Sequence, residues 1–544
     1  MIAAGKLGHP ASLAHAPPAS APGTGMGGVW RQGFWLSIAA FLQSGMCLAQ
    51  SLILSRYFGP GPLLDALSAC NGVVRYVNDL VGGLNRSFLQ NYTLLARQGS
   101  RPEQLFWASQ VALTAFLGVV TLVMWIFSRP LLEWIYPGLA GATRAAAEPL
   151  LPLLFLGLTF TVGFQISNAK AAARKQTFMV AISQVSVVAL TLGSTLLCLP
   201  LLGLNGVMAV KVAAMAGASL WLLVWFRQRP QFSLTGLREL GTVLRDGAWL
   251  VLLGGMSGGI LLLENWFAAS MPEGRLTTLA WARQFSMVIG VLLQGGMRQV
   301  ISVHFQELVR DNRLGELLAS VRKIFEYSVV MGAFVALGTW FAGRAGLQIL
   351  FGGSSWQPEQ ITRLWEVCSV YSLIILSACL GGLLVQVLVA TKSYRLFLLV
   401  ELLRLGSFTL CAWAWRAHDL TGLALAQVVQ QFLGTGLVVF LVYAFLRCKP
   451  DRADLRLLLR LGAALAPTAL GLWLGQIAAQ QFSPGGITVK DAWCQLAVIL
   501  GVALPGLAAT LWLGSRWDIS PLTQAARLVQ RVLNRSRPPS TQPQ

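Results

Sequence analysis

Residues 63–92 read LLDALSACNGVVRYVNDLVGGLNRSFLQNY, a segment of membrane-crossing length that carries Asp65, Asn71, Arg75, Asn78, Asp79, Asn85, Arg86, Gln90 and Asn91. At about 100° per residue, Asn71, Arg75, Asn78, Asp79, Gly82, Asn85 and Arg86 fall within a sector of roughly 120°, and the remaining positions are mostly Leu, Val and Ala. The spacing therefore predicts a helix with one wet face. Ionisable groups inside a membrane span cost a few kcal/mol each and face a cavity or a partner. An Arg–Asp ladder that only joins helices would explain Arg75 and Asp79 alone. The interleaving of Asn, Arg and Gly along the whole stripe fits a water-filled cleft better.

The surrounding sequence makes that segment one span among many. Of 544 residues, 55% are hydrophobic and 11% charged, against about a quarter charged in an ordinary soluble domain. Windows long enough for the ~30 Å hydrocarbon core lie near 34–54, 64–90, 105–127, 146–169, 178–200, 205–226, 247–270, 276–303, 324–343, 364–390, 396–414, 421–446, 461–480 and 491–514. The expected fold is an all-α polytopic membrane protein of about fourteen transmembrane helices. Lys and Arg outside the spans divide 27 to 8 between alternating sets of loops, which places both termini in the cytoplasm. The same alternation explains the formal charge of +20 as a topology signal, so nucleic acid is not an expected partner.

The first 32 residues, rich in Pro, Ala, Gly and Ser, read as a disordered tail. Past the last span, Ile519, Leu522, Ala526, Val529, Val532 and Leu533 recur at helical spacing with Arg527 and Arg531 between them, the pattern of an amphipathic helix on the cytoplasmic leaflet. The eight cysteines are widely spaced, without CxxC, and read as small buried hydrophobes rather than metal ligands or disulfides. No nucleotide-binding loop and no Ser/His/Asp set is legible among four histidines, so transport is expected rather than catalysis, without a cofactor.

The eighth span, LAWARQFSMVIGVLLQGGMRQVISVHF, carries Arg283 and Arg298, and its GGMR loosely matches GGLNR at 82–86. This suggests an internal repeat: 33–230 as one six-helix lobe, 231–450 as a second, 451–515 as two added spans, and 516–544 as the amphipathic helix and tail. Lys211, Glu264, Glu401 and Arg404 are the other ionisable residues inside spans. Glu401 and Arg404, three residues apart, could satisfy each other. If the second and eighth spans line one cleft, Arg75, Arg86, Arg283 and Arg298 face Asp65 and Asp79, with Asn78 and Asn85 beside them. Such a cleft favours an anion, phosphate in particular.

SRYFGPGPLLDALSAC (55–70) followed by VGGLNRSFLQNYTLLARQG (81–99) resembles the opening of the MurJ-type lipid II flippases of the multidrug/oligosaccharidyl-lipid/polysaccharide exporter superfamily. FQISNAKAAARKQTFMVAISQ (164–184), LTTLAWARQFSMVIGVLL (276–293) and LVQVLVATKSYR (384–395) continue the resemblance in the family's order. It implies two lobes around a V-shaped cationic cavity in a bacterial inner membrane, and a lipid-diphosphate-linked sugar as cargo. Membrane lipids and envelope glycan synthesis enzymes are the implied partners. By position, Asp65 matches the Asp of the family's FGxGxxxDAF run, and Arg283 its cavity arginine of the eighth span. The family's second-span arginines fall on Asn78 and Asp79, with Arg75 nearly a turn earlier. Its first-span arginines are replaced by Ser44 and Gln50, and its second-span Pro-Asn by Val74 and Arg75. These departures open the alternative of a paralogue for an exopolysaccharide or O-antigen repeat unit. Two further alternatives are an ion-coupled drug antiporter of the same superfamily and an inactive scaffold of an envelope-synthesis complex.

Overall fold

A computed structural model describes residues 26–97, 102–174, 176–226, 233–286, 288, 305, 308–309, 311, 313–391, 393–446, 452–482 and 488–535. Local sequence sets where its helices start and bend. α1 (Met26–Phe58) is followed by α2 (Pro62–Arg97), which opens on a proline, a residue suited to the first helical position. α3 (Pro102–Ile135) kinks at Phe127, where φ is −112° and ψ 20°. Pro130 is the cause: it has no N–H for the Ile126 carbonyl, and its ring crowds that turn. The expected span 105–127 thus ends at a bend, and the helix runs on for two more turns. After α4 (Gly141–Ala173), α5 (Thr177–Trp225) is interrupted at Gly203, with φ 62° and ψ −162°, a conformation open essentially to glycine alone. This break separates the spans expected at 178–200 and 205–226.

The second half comprises α6 (Leu234–Ala269), α7 (275–286), α8 (Leu314–Phe351), α9 (Pro358–Ala390), α10 (Tyr394–Ala414) and α11 (Asp419–Phe445). Ser233 caps α6 by accepting from the Gly236 N–H at 3.1 Å. α12 (Arg452–Phe482) and α13 (Val489–Arg516) form a hairpin against α8, and Thr488 with Asp491 closes a capping box at the start of α13. α14 (Ser520–Arg535) follows. Its start meets protein: Ile519, just before it, and Leu522 are buried in a cluster with Val330, Leu461 and Ala464, while Val529 is exposed.

Ten of the described helices are long and apolar enough to cross a membrane, which makes the chain a multi-pass membrane protein. They fall short of fourteen for identifiable reasons. α1 and the polar α2 are not among the ten, α5 counts once despite its break, and most of 276–303 lies outside the described residues. Cysteines 70 and 368 are buried as expected, whereas Cys494 is exposed.

The helices pack as two lobes with α6 at the seam. In the first lobe α1 packs on α5, and α4 packs on α2, α3 and α5; in the second α9 packs on α8 and α11, and α10 on α11. α6 packs against α2 and α3 on one side and α10 on the other. Two adjacent glycines of α2 show how that seam leaves a cleft. A Cβ on Gly83 would lie 2.6 Å from the Leu250 backbone of α6, so only glycine admits this approach. A Cβ on Gly82 would meet nothing within 4 Å. One face of α2 is therefore backbone-tight, and the predicted wet face is open.

Candidate functional site

At the end where α1 turns into α2, the two lobes are joined by hydrogen bonds. The Asp65 carboxylate accepts from the Gly274 N–H at 2.5 Å, the Thr277 N–H at 2.7 Å and the Thr277 hydroxyl at 2.6 Å. These donors lie at the start of α7, where the first N–H groups of a helix have no intrahelical acceptor and the dipole favours an anion. Alongside, the Trp356 indole donates to the Ser55 carbonyl at 3.1 Å and the Ser355 hydroxyl to the Tyr57 carbonyl at 3.1 Å, tying the end of α1 to the α8–α9 loop. Asp65 was expected in the cleft. The structure instead buries it as a latch between α2 and α7, with both carboxylate oxygens engaged.

Beneath the latch lies a cavity of about 230 Å³. Ser51 of α1, Ser68, Asn71 and Arg75 of α2, and Arg283 and Gln284 of α7 supply its polar wall, and Leu54, Leu64, Leu67, Leu261 and Trp281 its apolar one. The Gln284 amide donates to the Ser51 hydroxyl at 2.8 Å, closing the α1–α7 side. Arg75 and Arg283, predicted from separate spans, thus meet across the seam in one cavity.

Acidic partners balance both arginines. Arg75 lies 4.0 Å from Asp79, one turn along α2, with their side chains 42% and 36% exposed. Arg283 donates at 2.8 Å to Glu264, which is fully buried on α6, and at 3.2 Å to the Asn265 side-chain amide oxygen Oδ1. The other Glu264 oxygen accepts a hydrogen bond from the Tyr371 hydroxyl of α9. Sequence reading set Arg75, Arg86, Arg283 and Arg298 against Asp65 and Asp79; around the cavity the described pairs are Arg75 with Asp79 and Arg283 with Glu264. Two guanidiniums are thus matched by two carboxylates around the cavity.

Of the remaining predicted site residues, Asn78 lies further along the half-buried stripe and accepts from the Gln165 amide of α4 at 3.2 Å. Asn85 lies a further two turns on, its amide oxygen buried without a hydrogen-bond partner among the described residues. Arg86 has its place on α2, but its side chain is not among those described, and Arg298 lies outside the described residues. Glu264 was noted in the sequence without a role, and Asn265 and Tyr371 were missed. Their signal, a Glu-Asn pair and a tyrosine in otherwise apolar spans, becomes specific only when α6, α7 and α9 are seen to converge.

Two helical lobes thus meet across a glycine-tight seam with a latched cavity between them. Among solved structures, the fold is similar to lipid II flippase MurJ in an inward closed conformation, with a TM-score of 0.72 at 12% identity over 89% of this chain and 98% of that one. It is also similar to an inward-facing multidrug resistance MATE family transporter, with a TM-score of 0.62 at 13% identity over 76% and 94%. A MOP superfamily transporter from Pyrococcus furiosus gives 0.60 at 15% identity over 77% and 96%. No curated protein matches by sequence. Residues 54–490 match the family described as Lipid II flippase MurJ, and the chain belongs to that family.

Proposed function

We propose that the chain flips a polyprenyl-diphosphate-linked saccharide from the cytoplasmic to the outer leaflet of the inner membrane by alternating access. One observation carries the reading: Arg75 from one lobe and Arg283 from the other flank a single cavity just below a closed latch. A diphosphate held by both guanidiniums bridges the lobes, and rocking the lobes apart separates its two anchors. The 27 to 8 distribution of basic residues supports cytoplasmic termini, which puts the Asp65 latch on the outer side.

Lipid II and another envelope glycan remain distinct cargoes. Gln50, standing at one of the family's first-span arginine positions, is buried and donates to the Thr195 hydroxyl of α5 at 2.9 Å. It is spent within the first lobe and does not line the cavity. This supports the paralogue reading, with an exopolysaccharide or O-antigen repeat unit as cargo. The MATE likeness supports the drug-antiporter alternative at the level of fold; paired guanidiniums from opposite lobes favour an anionic cargo instead. Purified protein in vesicles carrying a polyprenyl-diphosphate-linked sugar tests the reading: the native chain should equilibrate the lipid between leaflets. A rate equal to protein-free vesicles would refute it.

A further inference from the structure

The buried carboxylate of Glu264 is more than a brace for Arg283. Its Oε1 accepts from the Tyr371 hydroxyl and its Oε2 from Arg283 Nη1, and of the three only Arg283 lines the cavity. The guanidinium is therefore gripped by one arm. Its Nε and Nη2 have no protein acceptor among the described residues, and the side chain is 17% exposed on the cavity it lines. Arg75 lies within electrostatic reach of Arg283, Asp79 and Glu264, so all four charges share one field. A phosphate entering this space meets free N–H donors on a guanidinium that already has an anion behind it.

Resting on the flippase reading, we propose that Glu264 is the resident counter-ion of the anion site. It neutralises Arg283 while the cavity is empty and competes with the substrate phosphate for that guanidinium when the cavity is filled. The chemistry required of a transporter explains the arrangement. Two unopposed guanidiniums in a low-dielectric cavity would hold a diphosphate strongly, and affinity gained in this way appears chiefly as slow dissociation. A carboxylate fixed on the far side of Arg283 weakens the grip and takes the guanidinium back as the anion leaves. Tyr371 moderates the competition, because its hydrogen bond draws charge density from the carboxylate that faces Arg283.

The two residues therefore have opposite expected effects, which a merely structural role does not produce. Glu264→Gln keeps the volume and an acceptor but removes the competing charge, so binding of polyprenyl diphosphate without a sugar should tighten by roughly tenfold while turnover falls. Tyr371→Phe keeps the ring and concentrates the Glu264 charge on Arg283, so binding of the same probe should weaken by roughly threefold. Full-length protein in nanodiscs at pH 8 gives both affinities, with the thermal midpoint as the check on folding. Unchanged or weaker binding by a folded Glu264→Gln protein overturns the inference; if that variant does not fold, unchanged or tighter binding by Tyr371→Phe does so. If the native chain itself fails to bind the probe, the flippase reading falls and this inference with it. Native binding that neither variant shifts removes the counter-ion role alone.

Discussion

Two of the protein's Arg–Glu pairs, Arg404 with Glu401 and Arg283 with Glu264, have opposite characters. Arg404 donates to Glu401 on its own helix at 2.9 Å, to Gln430 at 2.9 Å and to Gln431 at 2.6 Å, so Nη1, Nε and Nη2 all have protein acceptors. Its stem packs where a Cβ on Gly434 would lie 2.4 Å away, and the residue lines no cavity described above. Arg283 shares Glu264 with a tyrosine from a third helix, uses only Nη1 for acceptors among the described residues, and lines a cavity. A charge inside a span can thus be spent wholly on its neighbours or only in part. Unspent hydrogen-bonding capacity beside open space is the distinguishing property.

The largest expected effect belongs to the cavity. Arg75→Ala removes a fork whose charge-assisted hydrogen bonds are worth roughly 1.5–3 kcal/mol each, so flipping should fall by more than about a hundredfold. Asp79 is partly exposed, and losing its partner there should leave the thermal midpoint near the native value. Native flipping by this variant would break the contrast at its functional end. Arg404→Met should do the reverse. It strands Glu401, 3% exposed, with one carboxylate oxygen already lacking a hydrogen-bond partner, at a cost of about 3–5 kcal/mol in stability. A depressed midpoint with native flipping per folded molecule is expected, and lost flipping at an unchanged midpoint would contradict it.

The Asp65 latch comes next. Asp65→Ala deprives the Gly274 and Thr277 N–H groups of their acceptor, removing hydrogen bonds to a charged group worth roughly 1.5–3 kcal/mol each. The closed state should lose population to one in which the α1–α2 turn parts from the start of α7. A cysteine pair across that contact, read by distance measurements between spin labels, should broaden toward longer separations. A distribution identical to that of the native protein would show that the Trp356 and Ser355 contacts hold the lobes without Asp65.

The sequence made the local features legible and hid the convergent ones for a physical reason. The stripe on α2 could be read because the helical period alone puts Asn71, Arg75, Asn78 and Asp79 on one side. Arg283 was found because charge is conspicuous in an apolar span. Asp65 was misplaced because its carboxylate serves a helix start more than two hundred residues away, and no periodicity records which helix end a side chain will cap. Glu264 was set apart from the cleft because a span list does not say that α6 runs between α2 and α10. Phe127 marked the end of a hydropathy window, but only the backbone shows a bend there rather than a terminus.

The smallest expected effect concerns position 50 and sharpens the contrast between spent and unspent polar groups. Gln50 makes a neutral hydrogen bond to Thr195 inside the first lobe, and Thr195 itself donates to the Thr191 carbonyl at 2.7 Å. Gln50→Leu removes one partner of a neutral pair, and Thr195 keeps its own acceptor, so the cost should be about 1 kcal/mol. Flipping of the native cargo should be unchanged, since neither residue lines the cavity. Gln50→Arg would instead direct a cation toward Thr195 in the α1–α5 contact. On the paralogue reading, therefore, neither the native chain nor this variant should replace a depleted lipid II flippase. Rescue by the native chain would assign lipid II as cargo despite Ser44 and Gln50. Rescue by Gln50→Arg alone would show that an arginine at this position can leave Thr195 and reach the cavity, placing position 50 with Arg75 and Arg283 rather than with Arg404.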